Sequence, residues 1–331
     1  MDYIGSKVKL IDWIFEKITE VAPPKNGITF LDACCGSGVI SRHAASIGYN
    51  VISNDLMKFP SIIASGSIGL TIDQKQKARE YIRDFNNLSG IEGYFYTHFC
   101  DESVPSRLYF TAENAKLIDH VRNEIENIGD SKVKDYLLYC GIEALSRVNN
   151  TIGVQAAYLK KFKKCALRRF FLNEEISVNG KVTPFCRDIL ELLNDKSFRN
   201  KYEEGILYID PPYNHRQYGP NYHLYETFVK NDSPNPMGMT GLRDWKNECK
   251  STFCTKRGCL DFTKEIVRST SAKYVFISYN SDGLLSEKEL RNAFPTMKLY
   301  KKSQRRFKAD ASSKRQYNTS ELFEFLIEIP K

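Results

Sequence analysis

The chain has 331 residues, 42% apolar and 12% aromatic, which suits one large domain carrying an insertion, or two domains. No stretch approaches the ~20 apolar residues that span a bilayer, and the opening Met1-Asp2-Tyr3-Ile4-Gly5-Ser6-Lys7 is not a secretory signal. Nine cysteines without framework spacing read as reduced cytosolic thiols, and the net charge of +8 informs only through where it lies.

In chain order, Val8, Leu10, Ile11, Ile14, Phe15 and Ile18 predict an amphipathic helix over 8–18, ended by Pro23 and Pro24. Residues 28–33 are a buried strand. A glycine turn, Asp32-Ala33-Cys34-Cys35-Gly36-Ser37-Gly38, leads into a helix over 39–47 and a second strand over 50–53 ending at Asn54-Asp55. This β-turn-α-β unit opens a doubly wound α/β sheet. From 61 to 175 the pattern turns helical, around 74–88, 111–128, 132–148 and 154–170. An aromatic-rich stretch with Tyr94, Phe95, Tyr96, Phe99, Tyr109 and Phe110 sits between the first two helices. Strand-like runs resume at 205–209, 274–279 and 322–329. The chain therefore divides into an α/β domain, 1–60 with 176–331, and a mostly helical insert, 61–175.

The most informative motif follows the apolar run at 205–209. Pro211 and Pro212 have no backbone donor and fixed φ, so the strand must break there, at the sheet edge where open α/β sheets bind ligands. The break presents the Asp210 carboxylate, freed carbonyl oxygens and the Tyr213 ring. That set suits a planar exocyclic amine, with two acceptors for its hydrogens and a face to stack on. Gly36 and Gly38 let the backbone approach a ligand closely. Asp55, 19 residues beyond Gly36, is placed to accept from both hydroxyls of a ribose. Together they predict an adenosine-containing cofactor. Asp32 inside the turn would repel a pyrophosphate and attract the ammonium of a methionine, which favours S-adenosylmethionine over NAD.

Two basic blocks carry the charge. Residues 158–171 hold Lys160, Lys161, Lys163, Lys164, Arg168 and Arg169 with no acid, and residues 301–315 have a net charge of +6. The remainder of the chain sums to −4. Basic blocks with interleaved aromatics on a slightly acidic body predict a nucleic-acid partner, and neither block has the clean apolar face of a membrane-surface helix. Cys249, Cys254 and Cys259 recur every five residues, but zinc sites use shorter gaps and a fourth ligand, so packing thiols and no metal are expected.

In order along the chain, Tyr3-Ile4-Gly5-Ser6-Lys7, Asp32 to Gly38, Asn54-Asp55 and Asp210 to Tyr213 resemble motifs X, I, II and IV of the N6-adenine DNA methyltransferases, closest to the alpha-class, Dam-like group. Phe276-Ile277-Ser278-Tyr279-Asn280 resembles motif VI, residues 221–227 resemble the helix after the catalytic loop, and 298–329 resembles the terminal antiparallel pair. The resemblance implies a Rossmann-like S-adenosylmethionine-dependent methyltransferase sheet with a helical target-recognition insert. It implies that Tyr3, Lys7, Asp32, Cys34, Gly36, Gly38, Asp55 and Asp188 bind S-adenosylmethionine, with Lys7 near its carboxylate and Asp188 at the adenine. Asp210, Pro211, Pro212 and Tyr213 would hold the target base. Cys34-Cys35 departs from the aromatic or small residue that relatives often carry there.

The implied reaction is sequence-specific methylation of a flipped-out adenine in double-stranded DNA. The lysines and arginines of the first block, with Lys301, Lys302, Arg305 and Arg306, are the expected phosphate contacts. A cytoplasmic, nucleoid-associated monomer, paired with a restriction endonuclease acting on the same site, is expected from the family's habit. RNA adenine methylation and a catalytically silent DNA-binding module of the same fold are the alternatives. A cytosine-amine enzyme would more often carry Ser in place of Asp210, and a protein-glutamine enzyme Asn with no basic blocks. NAD-dependent oxidation ranks last.

Overall fold

A computed structural model describes residues 1, 3–24, 27–199, 201–304 and 321–330. Seven strands form one sheet in the order β3-β2-β1-β4-β5-β7-β6. They are β1 (Thr29–Asp32), β2 (Asn50–Asp55), β3 (Lys181–Cys186), β4 (Ile206–Ile209), β5 (Tyr274–Asn280), β6 (Lys298–Gln304) and β7 (Leu322–Pro330). The first five run parallel, and β7 pairs antiparallel with both β5 and β6. The chain order reverses between β1 and β4, which pair with Asp32 opposite Tyr208, so the carboxyl ends of these two strands flank the switch point.

Side-chain alternation along the central strands sorts two cores. Phe30, Ile206, Tyr208 and Phe276 face one layer with α1 (Ile11–Val21) and α2 (Val39–Ser46). Leu31, Leu207, Ile209, Val275 and Ile277 face the other, with α8 (Ile189–Asn194), α9 (Lys196–Arg199), α13 (Lys256–Ser269) and α14 (Glu287–Ala293). Pro184 lies within β3, which its exposed position at the sheet edge allows.

A third core holds the insert. It unites α4 (Ile72–Asn86), α5 (Tyr94–Phe99), α6 (Ala112–Glu126) and α7 (Ser131–Val148) with α3 (Lys58–Ser67) and α11 (His223–Lys230). The expected boundary at 61 thus falls inside α3, and the insert's core continues into α11, the helix that follows the Asp210–Tyr213 loop. Gly141 shows why α7 and α11 come so close: a Cβ there would sit 2.4 Å from Phe228 Cζ.

The helix expected over 154–170 is replaced by turns and bends. Buried asparagines compete for the backbone. Lys163 N donates to Asn150 Oδ1 (3.0 Å) and Phe170 N to Asn114 Oδ1 (2.7 Å), each supplying a partner that a helix would have found four residues back. β3 had no periodic signal because its side chains are mostly exposed. The β6–β7 pair forms as the resemblance implied.

Candidate active site

The turn after β1 bends around its glycines, with Gly36 at φ 48° and Gly38 at φ 69°. A Cβ at Gly36 would lie 2.9 Å from the Tyr3 ring. Gly36 N donates to Asp55 Oδ2 and Met57 N to Asp55 Oδ1, each at 3.0 Å, which pins the carboxylate at the end of β2. Asp32 is buried at 1% exposure and accepts from Ser41 Oγ at 2.7 Å through Oδ2. Its Oδ1 is buried without a hydrogen-bond partner among the described residues. Burial pushes the Asp32 carboxyl up to about 7 and the Asp55 carboxyl up to about 6.

The Asp210 carboxylate is reached by Lys7 Nζ at 2.8 Å, and the same ammonium lies 3.3 Å from Glu324 Oε1 on β7. Lys7 is buried and also donates to Gly5 O at 3.1 Å. Burial lowers the affinity of Lys7 for its proton, but the Asp210 and Glu324 carboxylates more than offset this and hold its pKa well above the ordinary lysine value. Burial raises Asp210 to about 6 even with Lys7 pulling it down. Lys7 was expected beside the cofactor's carboxylate. It lines the cleft, where its ammonium is also held by the partly buried Asp210 and the buried Glu324. Tyr213 presents its ring edge-on to Tyr279, 6.1 Å between centroids at 70°, and its carbonyl accepts from Leu284 N at 2.9 Å.

The segment carrying Tyr3 to Lys7 is strapped to the residues after the Asp210–Tyr213 loop, α10 (Tyr218–Asn221) and the start of α11. Tyr3 stacks on Tyr222 with centroids 4.7 Å apart and planes at 8°. Ile4 N donates to the Tyr222 hydroxyl at 2.7 Å, and the Tyr218 hydroxyl donates to Ile4 O at 3.0 Å. Glu226 of α11 accepts from Lys58 N and Phe59 N, both at 3.0 Å, and so closes the amino end of α3 just beyond Asp55.

The glycine turn, the amino-terminal segment and the loop after β4 line one cleft that is open to solvent. It brings together Tyr3, Lys7, Asp32, Cys34, Gly36, Asp55, Asp188 and all four residues from Asp210 to Tyr213. Gly38 stands just behind, as the residue before α2. Asp188 caps α8 through Leu190 N at 2.8 Å as well as lining the cleft, so it is both a cap and a candidate ligand. The segment 249–253, which follows α12 (Trp245–Glu248), also lines the cleft and is tied to the catalytic loop by a two-way bond between Gln217 and the Ser251 backbone. Cys249 is part of that lining, while Cys254 and Cys259 are buried.

Sequence reasoning missed Glu324, Glu226 and segment 249–253. The first two had a signal: acids in otherwise apolar runs, LFEFLIEIP and HLYETFVK. Of the expected DNA contacts, Lys160, Lys161, Lys164, Arg168 and Arg169 are exposed. Lys163 donates to Thr151 O at 2.7 Å and Arg169 to Leu88 O at 3.2 Å. Lys301 is paired with Glu287 at 2.6 Å, and Lys302 lies over the Trp13 ring. Arg305 and Arg306 lie outside the described residues.

A glycine turn and three acids at the ends of adjoining strands, on a sheet of this strand order, are the architecture of an α/β methyltransferase. A family model described as D12 class N6 adenine-specific DNA methyltransferase matches residues 3–316, and the chain belongs to that family. It is 34% identical over 338 residues to the Type II methyltransferase M.NlaIII of Neisseria lactamica, covering 98% of each chain. It is also 34% identical to the Type II methyltransferase M.CviAII of Paramecium bursaria Chlorella virus 1, over 94% of each. The Type II methyltransferase M.FokI of Planomicrobium okeanokoites is 32% identical across the whole of this chain and 53% of its own length. The protein is thus an adenine-specific DNA methyltransferase. Among the described residues no helix is long and apolar enough to cross a membrane.

Proposed function

We propose that the chain transfers a methyl group from S-adenosylmethionine to the N6 amine of an adenine flipped out of double-stranded DNA, at a specific sequence. The observation that carries this reading is that the buried Asp32 and the partly buried Asp55 and Asp210 stand at adjoining strand ends and line a single cleft. The cofactor fits the residues present. Asp32 Oδ1 is a buried acceptor awaiting a donor, as an amino acid's ammonium would supply, and Gly36, whose missing side chain leaves room for the Tyr3 ring, lines the same cleft. Asp55 would hold the ribose and Asp188 the adenine. When bound, S-adenosylmethionine supplies an electrophilic methyl group.

The protein's own task is to make a poor nucleophile attack. The lone pair of adenine's exocyclic nitrogen is delocalised into the ring. Asp210 and the Pro211 carbonyl would accept its two hydrogens, favouring a pyramidal nitrogen with a localised lone pair. Lys7 occupies Asp210 Oδ1, which leaves Oδ2 for the amine. With its carboxyl near 6, Asp210 is ionised at neutral pH and opposes the positive charge that develops on nitrogen. Pro212 fixes the turn, and Tyr213 would stack on the base, recovering roughly 1–3 kcal/mol of the unstacking cost.

The reading extends to a cytoplasmic, nucleoid-associated monomer and to a cognate restriction endonuclease, and the Type II names of the relatives support the last of these. The test is mass spectrometry of nucleosides after incubation with S-adenosylmethionine and unmethylated duplex DNA. N6-methyldeoxyadenosine is expected from the native chain and none from Asp210→Ala, which should still bind DNA. N4-methyldeoxycytidine, or normal methylation by Asp210→Ala, would overturn the assignment.

A further inference from the structure

The proposed chemistry uses Asp210 and Lys7 but not Glu324 behind them. Glu324 comes from β7, a strand whose described residues form no part of the cleft lining. It is 4% exposed and lies opposite Asn280 in the β5–β7 register. Ser278 Oγ donates to its Oε1 and Asn280 Nδ2 to its Oε2, both at 3.2 Å. Asn280 is itself fixed, because its Oδ1 accepts from Asp282 N at 2.9 Å. Thus β5 grips both carboxylate oxygens of Glu324, and Glu324 grips Lys7 at 3.3 Å, opposite the 2.8 Å contact of Lys7 with Asp210.

A buried acid in the middle of an apolar strand is costly unless its charge is paired. Here it is paired to a lysine whose other partner is the catalytic carboxylate. We propose that Glu324 is a positioning residue for methyl transfer, anchoring the Lys7 ammonium on Asp210 Oδ1 so that Oδ2 stays aimed at the target amine. This rests on the reading of Asp210 as the amine acceptor.

Without the anchor, Lys7 has a flexible four-carbon stem and a single counter-ion, and Asp210 is free to turn about its side-chain bonds. Misplacement of an acceptor by about an ångström costs on the order of a hundredfold in rate. The arrangement also sets a charge balance. Lys7 is faced by Asp210, Glu324, Tyr213 and Tyr208, while Asp210 feels Lys7 and Glu324 directly and shares its field with Asp32. Glu324 acts to raise the Asp210 carboxyl and Lys7 to lower it, within a site where burial is the larger influence. Removing the Glu324 charge therefore shifts Asp210 downward.

The experiment is single-turnover methylation between pH 4.5 and 8.5, with Glu324→Gln, Ser278→Ala and Asp210→Ala beside the native chain. Glu324→Gln keeps the size of the side chain and removes its charge. It should lower the plateau rate about ten- to a hundredfold and move the acid limb of the profile to lower pH. A lowered plateau with an unmoved limb would reduce Glu324 to packing, and an unchanged plateau would likewise overturn the proposal. Ser278→Ala guards against loss of folding in Glu324→Gln. It keeps every charge but removes one of the two β5 donors, leaving Glu324 Oε1 to Lys7 alone, so it should reduce kcat with KM for S-adenosylmethionine unchanged. A native kcat in Ser278→Ala would count against the anchor. Inactive Asp210→Ala beside a native-like Glu324→Gln would sink only the role of Glu324, whereas an active Asp210→Ala would remove the reading beneath it.

Discussion

Asp32→Asn probes the claim that the glycine turn is built for a cation. In the native protein Asp32 Oδ1 is buried and awaits a donor, while burial holds the carboxyl up at about 7. An ammonium bound there would make a charge-assisted hydrogen bond worth roughly 1.5–3 kcal/mol. At about 1.4 kcal/mol per tenfold, Asp32→Asn should weaken S-adenosylmethionine binding about 10- to 150-fold at pH 7.5. The pH dependence is the sharper test. A raised carboxyl is protonated below its folded value, so the acceptor for the ammonium is lost as pH falls through 7. Native affinity should then drop about tenfold per unit below pH 7. It should fall more steeply below 6, where Asp55 also takes a proton. On the alkaline side an α-amino group deprotonates near ~8, so affinity should peak between about pH 7 and 8. Isothermal titration calorimetry at constant ionic strength measures the profile. Asp32→Asn should lose the limb between pH 6 and 7 and keep the others. A native affinity that is flat from pH 6 to 8, or a mutant that keeps the limb, would refute the reasoning.

Gly36→Ala places a Cβ 2.9 Å from the Tyr3 ring at a φ of 48°, so strain and clash act together; thermal melts with and without S-adenosylmethionine should show lost ligand stabilisation, and an unchanged ligand-induced shift would contradict the cradle. Neutralising Lys160, Lys161, Lys163 and Lys164 should weaken DNA binding at every sequence and flatten its dependence on salt, by up to about 0.9 for each phosphate no longer neutralised. Because the Lys163 ammonium is held at Thr151 O, Lys163→Ala alone should change the slope less than Lys161→Ala, as salt titrations by fluorescence anisotropy would show.

The sequence by itself determined the chemistry-bearing strand ends. Pro211 and Pro212 stop a strand wherever they occur, and glycines after a buried strand open a turn, so Asp32, Asp55 and Asp210 could be placed at the rim of an α/β sheet from local rules alone. The central strands were legible for the same reason, since β1, β4, β5 and β7 are apolar runs bounded by turn residues. Periodicity failed at 154–170, where the apolar spacing resembled a helix but the side chains of Asn114 and Asn150 took the backbone donors. Such competition depends on residues brought close by folding.

Tertiary structure alone decided what Lys7 touches. Its sequence neighbours say nothing of Asp210, 203 residues away, or of Glu324 on a strand added antiparallel at the end of the chain. The same holds for Glu226, which joins the helix after the catalytic loop to the amino end of α3. Local pattern reports how each segment buries its own surface. Which charges share a buried site follows from strand order and register, and these are settled only when the whole sheet assembles.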